Sequence, residues 1–92
     1  MDKPVFVPGQ IIKHFKREYA SVREQNENKH LYKVIAIALN TETEEEMLIY
    51  QALYRPFAVF CRPLKMCTDL VNKQEHIFVS QTYRLEPWEE EE

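Results

Sequence analysis

The sequence predicts a single small domain that is mainly β. The chain has 92 residues, of which 45% are hydrophobic and only one is a glycine, so it is globular and has room for one modest core. Two apolar stretches of strand length, 31–39 and 57–62, are bounded by polar or proline-containing connections. That arrangement is typical of paired strands. Since the core is modest, self-association would add stability.

The N-terminal third combines a short strand with a helical insert. Residues 10–15 carry two adjacent β-branched side chains and follow a turn at Gly9, so they predict a strand. Beyond them the pattern changes to i, i+4 and i+7 spacing of Phe15, Tyr19 and Val22. This spacing predicts one face of a short helix near residues 16–28, ending in a polar loop over 25–28.

The segment 31–39 is the clearest strand. Leu31, Ile35, Ile37 and Leu39 alternate with Tyr32, Val34, Ala36 and Ala38. Both faces are therefore largely apolar, which predicts a central position in a sheet.

The next apolar run, 47–54, fits two structures. Thr43 and Glu46 have the spacing of a capping box that would begin a helix. The run also has the length of a buried strand. Arg55-Pro56 then indicates a turn, and residues 57–62 predict another strand that ends at Pro63.

The C-terminal part alternates short elements with loops. Residues 64–71 predict a helical turn, with inward side chains at Leu64, Cys67, Leu70 and Val71. A final strand is expected to begin at Ile77 and continue to Leu85. We place the domain over 1–86 and an acidic tail over 87–92, since Glu89–Glu92 form a run of like charge.

Four ordered motifs resemble a known family. They are Lys13-His14-Phe15-Lys16, Asn40-Thr41-Glu42-Thr43, Tyr50-Gln51-Ala52-Leu53-Tyr54 and Arg62-Pro63-Leu64-Lys65-Met66. Their order and spacing are similar to those of a small, mostly bacterial and phage family, domain of unknown function 1653. The similarity runs from about Pro8 to Glu86, and the insert after Lys16-Arg17-Glu18 resembles a longer branch of that family.

The resemblance implies a small SH3-like β-barrel, and it favours a strand over a helix for 47–54. It implies no function, because fold alone does not assign one. The chain departs from the family at three places. Asn40 replaces a histidine, Arg55-Pro56 replaces Gly-Asp, and Cys67 replaces an aromatic residue.

Charge and cysteine content narrow the class of protein. The net charge of -3 conceals a body, residues 1–85, with twelve basic and ten acidic groups. This is weaker than the basic surface of a dedicated nucleic-acid binder. No apolar run is long enough to span a membrane, and the N-terminus does not resemble a secretory signal. Cys61 and Cys67 lack zinc or redox spacing, so we expect buried free thiols and a cytoplasmic protein.

Five residues are candidates for ligand binding. His14, Lys16 and Arg62 could hold an anion, since a guanidinium pairs with carboxylate or phosphate in bidentate fashion. Tyr50 and Tyr54 belong to a set of rings, with Tyr32, Phe57 and Phe60, that either stack on a planar ligand or fill the core. We expect an exposed hydroxyl on Tyr50 or Tyr54, and Phe57 and Leu48 in the core. The alternative for His14 is a hydrogen bond to backbone.

The remaining polar residues indicate no reaction. Glu42 is a candidate for a structural ion pair, for example with Arg62. His14, His30 and His76 lack metal-ligand spacing, and neither serine has the setting of a nucleophile. We therefore expect no catalytic residue, metal or cofactor. The leading hypothesis is a non-enzymatic module that binds a small anionic or planar ligand, or a peptide segment of a protein. The alternatives are binding of single-stranded nucleic acid and self-association through strand edges.

Overall fold

The computed structural model describes residues 3–89. Its strands are β1 (Ile11–His14), β2 (Leu31–Leu39), β3 (Glu46–Ala52), β4 (Val59–Pro63) and β5 (Leu85–Pro87). A 3-10 helix (Phe15–Tyr19) and α1 (Val22–Asn26) lie between β1 and β2, and α2 (Leu64–Cys67) follows β4. The mainly β prediction with a helical insert is thus confirmed.

The five strands form one antiparallel sheet in the order β4-β3-β2-β1-β5. β2 is the middle strand, as its pattern predicts. Across the described range 3–89, no pairing joins the outer strands β4 and β5. The predicted SH3-like barrel therefore takes the form of a five-stranded sheet that stays open between β4 and β5.

The core lies on one face of this sheet. Its strand residues come from alternate positions, as the two-residue period of a strand requires, and they are Ile12, Tyr32, Val34, Leu48, Tyr50, Ala52 and Leu85. Phe6 and Cys67 complete the buried cluster from the N-terminal lead-in and from α2. A shift of register between Val34 and Ala36 interrupts the pairing of β2 with β3. Such a bulge bends a strand and increases its twist.

The insert is two short helices rather than one. Ala20 is extended, and Ser21 begins α1 through a reciprocal capping box with Glu24. The expected common face holds for Phe15 and Tyr19, whose rings both pack against His76. Because the chain breaks at Ala20, Val22 leaves that face and is exposed, so the prediction is wrong for Val22.

The ambiguous run is a strand, and the capping-box alternative at Thr43 and Glu46 is wrong. Glu46 is the first residue of β3, which is paired on both sides, with β2 and β4. β4 begins at Val59, two residues later than predicted. Phe57 has a φ of 62°, which is outside the strand region. Its side chain is 47% exposed, so the expectation of a core residue is wrong there, whereas Leu48 is fully buried as predicted.

The last predicted strand is mostly irregular. Only an isolated bridge, Leu70 to Tyr83, precedes β5, and Phe78 is 90% exposed. Side chains supplement the few backbone bonds of the segment. Lys73 Nζ donates to the carbonyl oxygens of Val79 and Gln81, both at 2.6 Å, and the Val71 N–H donates to the Thr82 carbonyl at 2.9 Å. These contacts replace the ladder that the alternating pattern predicted.

Around α2 the inward positions are only partly as predicted. Cys67 and Val71 are buried, but Leu70 is 72% exposed. α2 ends at Cys67, so the helical spacing that would turn Leu70 inward is lost.

The two cysteines differ. Cys67 is buried as predicted, and Cys61 is exposed, so the prediction of two buried thiols is wrong for Cys61. Its neighbours along β4, Phe60 and Arg62, border the interior, and alternation therefore turns Cys61 outwards.

The C-terminal segment continues the sheet as far as Pro87, and the Trp88 N–H donates to the Ile11 carbonyl at 2.9 Å. Glu90–Glu92, half of the predicted acidic tail, lie outside the described residues. Over residues 3–89, no helix is both long and apolar enough to cross a bilayer.

Candidate functional site

A cavity of about 210 Å³ opens where the sheet is not closed. We call it the β4–β5 cavity, since residues of both outer strands line it. Four of the five predicted ligand residues meet there, and the complete lining is His14, Lys16, His30, Tyr32, Tyr50, Phe60, Arg62 and Leu85. The site therefore draws on every strand of the sheet.

Strand pairing explains why β4 directs two side chains to the cavity. Phe60 is opposite Tyr50, and Arg62 is opposite Leu48. Residues directly opposite in an antiparallel pair share a face. Because Tyr50 and Leu48 are buried, Phe60 and Arg62 are on the inner face as well.

Three rings form an aromatic wall, which we define as Tyr32, Tyr50 and Phe60. The Tyr32 and Tyr50 rings meet edge to face with centroids 5.2 Å apart, and the Tyr50 and Phe60 centroids are 5.7 Å apart. These separations are those of favourable aromatic pairs. The wall therefore has a defined shape and offers π surface to the cavity.

Among residues 3–89, two cations line the cavity and no carboxylate does. Neither Lys16 nor Arg62 forms a salt bridge with any residue in 3–89. Arg62 is half-buried, where charges interact more strongly than in bulk water. The cavity is consequently electropositive, with its donors not committed to partners among these residues.

His14 is held as a neutral ring. Its Nδ1 accepts a hydrogen bond from the Lys16 backbone N–H at 3.1 Å, so the proton of the neutral imidazole is on Nε2. Burial, followed by the nearby His30, Lys16 and the two arginines Arg84 and Arg62, lowers the pKa of His14 from 6.5 to about 4. At neutral pH the ring is therefore an N–H donor without charge. The structure thus has His14 both in a backbone contact and in the cavity lining.

Tyr54, the fifth predicted ligand residue, is not part of the lining. It lies beyond the end of β3, and its hydroxyl is 2.9 Å from that of Tyr32. Burial, followed by this hydrogen bond, raises the pKa of Tyr32. Lys29 Nζ lies 4.9 Å above the Tyr54 ring, a cation–π distance. Tyr54 therefore supports the aromatic wall from behind.

Glu42 is exposed in the β2–β3 turn, and its backbone N–H donates to the Asn40 side chain at 2.9 Å. No salt bridge in the described part of the chain includes it. The acidic residue of this turn that does pair is Glu45, with Lys65 at 3.3 Å.

Sequence reasoning did not select His30 or Leu85 for the site. His30 precedes β2 with a φ of 65°, and its backbone carbonyl accepts a hydrogen bond from the backbone N–H of His14 at 3.1 Å. Its ring lies 6.0 Å from that of His14. Only the pairing of β1 with β2 brings these two histidines together, and no local pattern carries that information.

Residues 3–89 contain no group of three or more His, Cys, Asp or Glu side chains arranged to hold a metal ion. A family model described as "Protein of unknown function (DUF1653)" matches residues 10–80. The matched region includes every lining residue of the β4–β5 cavity except Leu85. Comparisons with curated proteins and with solved structures found no match.

Proposed function

We propose that this chain, which belongs to the DUF1653 family of proteins of unknown function, is a non-enzymatic module that binds a small anionic and planar group. The observation that carries the proposal is the charge of the β4–β5 cavity. Lys16 and Arg62 line it, and no carboxylate from the described part of the chain does. The carboxylate of a bound ligand would accept charge-assisted hydrogen bonds from these two side chains, and such bonds are stronger than neutral ones.

The aromatic wall supports the preference for a planar group. Rings attract one another when an edge or an offset face is offered, and Phe60 is 42% exposed beside the cavity. An aromatic carboxylate would place its ring against the wall and its charge towards Arg62. An aromatic wall without other charges would also attract a cation. The two positive side chains in the same lining repel a cation, so an anion is favoured.

The residue types of the lining support binding without reaction. Of the residues that the structure describes, no serine or cysteine lines the cavity, and no carboxylate that could act as a base does. His14 is neutral, and its Nδ1 is engaged by the Lys16 N–H, so the side of the ring that would accept a proton is occupied. The neutral ring is better suited to donating a hydrogen bond to an anion.

We also propose a cytoplasmic setting. Both cysteines are free, and Cys61 is exposed. An exposed thiol that remains unpaired is typical of reducing compartments.

Three isosteric probes test the ligand preference: benzoate, neutral benzamide and cationic benzamidine. In NMR titrations of the whole chain, benzoate is expected to shift the amides of lining residues in a saturable way. Benzamide should bind more weakly, and benzamidine should not saturate. Losing one charge-assisted contact costs roughly tenfold or more in affinity, so Arg62→Gln should weaken benzoate binding by that factor.

Arg55→Gln is the matched control, because Arg55 is exposed on the same hairpin and is not in the lining. It should leave benzoate binding unchanged. Equal binding of benzoate and benzamidine, or benzoate shifts that avoid the cavity, would overturn the proposal.

A further inference from the structure

β4 has a free edge, and its backbone pairing shows which residues present it. The Ala58 carbonyl accepts a hydrogen bond from the Ala52 N–H at 2.8 Å, so Ala58 is bonded to β3. By the register, every second residue after it, Phe60 and Arg62, is bonded to β3 as well. In an antiparallel ladder the residues between bonded ones turn their N–H and C=O to the opposite side. On β4 those intervening residues are Val59, Cys61 and Pro63.

Two observations agree with this assignment. Pro63 has no N–H, and it falls in the outward set, where proline is tolerated in a strand. Among the described residues, no hydrogen bond outside the β3–β4 ladder reaches the backbone of Val59 or Cys61. Val59 is 59% exposed. This edge therefore presents two N–H and two C=O groups in strand geometry, which is the arrangement that an added strand pairs with.

The free edge borders the β4–β5 cavity. Phe60 and Arg62, which alternate with the outward residues, line it from β4, and Leu85 lines it from β5. A strand added to β4 would thus lie in the gap of the open sheet. Its side chains would alternate between solvent and the cavity, because successive strand residues face opposite sides.

We infer that an extended segment of a partner protein pairs with the backbone of Val59 and Cys61 and directs an acidic side chain into the cavity towards Arg62 and Lys16. The inference rests on the proposed function for the recognition of the carboxylate. Charge complementarity selects the occupant. Within residues 3–89 the lining has two cations without a salt-bridge partner and no carboxylate. This charge favours Asp or Glu at the inward position and opposes Lys or Arg.

A capped peptide, acetyl-Thr-Val-Thr-Glu-Thr-Val-Thr-amide, tests the backbone and the charge separately. In this peptide the glutamate faces inwards, and the two threonines that flank it turn their N–H groups to β4. N-methylation of those two threonines should lower affinity roughly tenfold or more, since each lost hydrogen bond costs about 1 kcal/mol and a methyl group also blocks approach. N-methylation of the two valines, whose N–H groups point away from β4, is the matched control and should leave affinity unchanged.

Substitutions in the peptide and in the protein test whether the glutamate is recognised through its charge. Replacing the peptide glutamate by lysine should abolish binding. A peptide with glutamine in place of the glutamate is the neutral reference. Arg62→Gln in the protein should weaken binding of the glutamate peptide and leave binding of the glutamine peptide unchanged, and Arg55→Gln should change neither. This coupling is one that a general loss of stability would not produce.

The outcomes separate this inference from the proposed function. If benzoate binds with dependence on Arg62 but the two N-methylated peptides bind alike, strand pairing is overturned and the anion site remains. If neither benzoate nor the peptide glutamate depends on Arg62, both proposals fail. If the protein self-associates and the peptide dissociates it, a second copy of this chain replaces the partner protein, and the assignment of the occupant is overturned.

Discussion

The hydroxyl groups of Tyr32 and Tyr54 lie 2.9 Å apart and share a hydrogen bond. Tyr32 belongs to the aromatic wall, whereas Tyr54 belongs to the loop that follows β3. The bond therefore ties the wall of the β4–β5 cavity to the β3–β4 loop. It gives Tyr54 a supporting position rather than a place against a ligand.

Removing this bond should cost stability more than binding. We expect Tyr54→Phe to lower the free energy of unfolding by about 1 kcal/mol, because the half-buried Tyr32 hydroxyl loses its partner. Urea unfolding followed by circular dichroism measures the change. Tyr83→Phe is the control, since no hydrogen bond within residues 3–89 includes the Tyr83 hydroxyl. The same loss in both variants would contradict the structural role of the pair.

Acid should weaken the fold through His14. Its pKa is lowered from 6.5 to about 4 in the folded chain, so the unfolded chain takes up the proton first as pH falls. The stabilisation is complete above pH 6.5 and is lost as pH falls towards 4, by about 3 kcal/mol for this shift. We expect His14→Asn to remove this part of the pH dependence while an oxygen still accepts the Lys16 N–H.

The measurement is the free energy of unfolding of both proteins between pH 7 and pH 4. Other groups titrate in both, so the informative quantity is the difference between the two curves. A constant difference across this range would show that His14 does not contribute.

Glu18 anchors the irregular C-terminal segment to the insert. Its carboxylate accepts from the Ser80 N–H at 2.8 Å, the Ser80 hydroxyl at 3.0 Å and the Gln81 N–H at 2.9 Å. Burial raises the pKa of Glu18, but these bonds outweigh it and the net pKa is lowered. Glu18→Ala should therefore destabilise the chain by about 1–3 kcal/mol.

Hydrogen exchange gives the local readout. The amides of Ser80 and Gln81 should exchange faster in Glu18→Ala, while those of β3 keep their relative protection. Glu75→Ala is the control, because the Glu75 carboxylate is largely exposed and lies no closer than 4.0 Å to Nε2 of His76, its salt-bridge partner. Unchanged exchange at Ser80 would rule out the anchor.

The two thiols should react at different rates. Cys61 is exposed on β4, whereas burial raises the pKa of Cys67 to about 11. Since the thiolate is the reactive form, a disulfide reagent at pH 8 should label one thiol per native chain rapidly and the second only on unfolding. Cys61→Ser should eliminate the fast phase. A fast phase that survives in Cys61→Ser would contradict the burial of Cys67.

Local sequence was sufficient where pairing and pattern agree. Leu31–Leu39 forms the strand that its pattern predicts, with the same bounds, and it lies in the middle of the sheet. Only one of its two apolar faces is buried, since Ile35, Ile37 and Leu39 are exposed. Local sequence was insufficient between Leu64 and Leu85. There the apolar residues Leu70, Ile77 and Phe78 are exposed. Apart from the bridge between Leu70 and Tyr83, side-chain contacts from Lys73 and Glu18 shape this segment.

Residue pattern and type were enough to predict the mainly β class and to select four residues that line the cavity, His14, Lys16, Tyr50 and Arg62. How these residues come together depends on strand pairing. The pairing of β1 with β2 adds His30, and the gap between β4 and β5 creates the opening. The reason is physical: alternation and residue type act over a few neighbouring positions, whereas a cavity depends on contacts between strands that are distant in the chain.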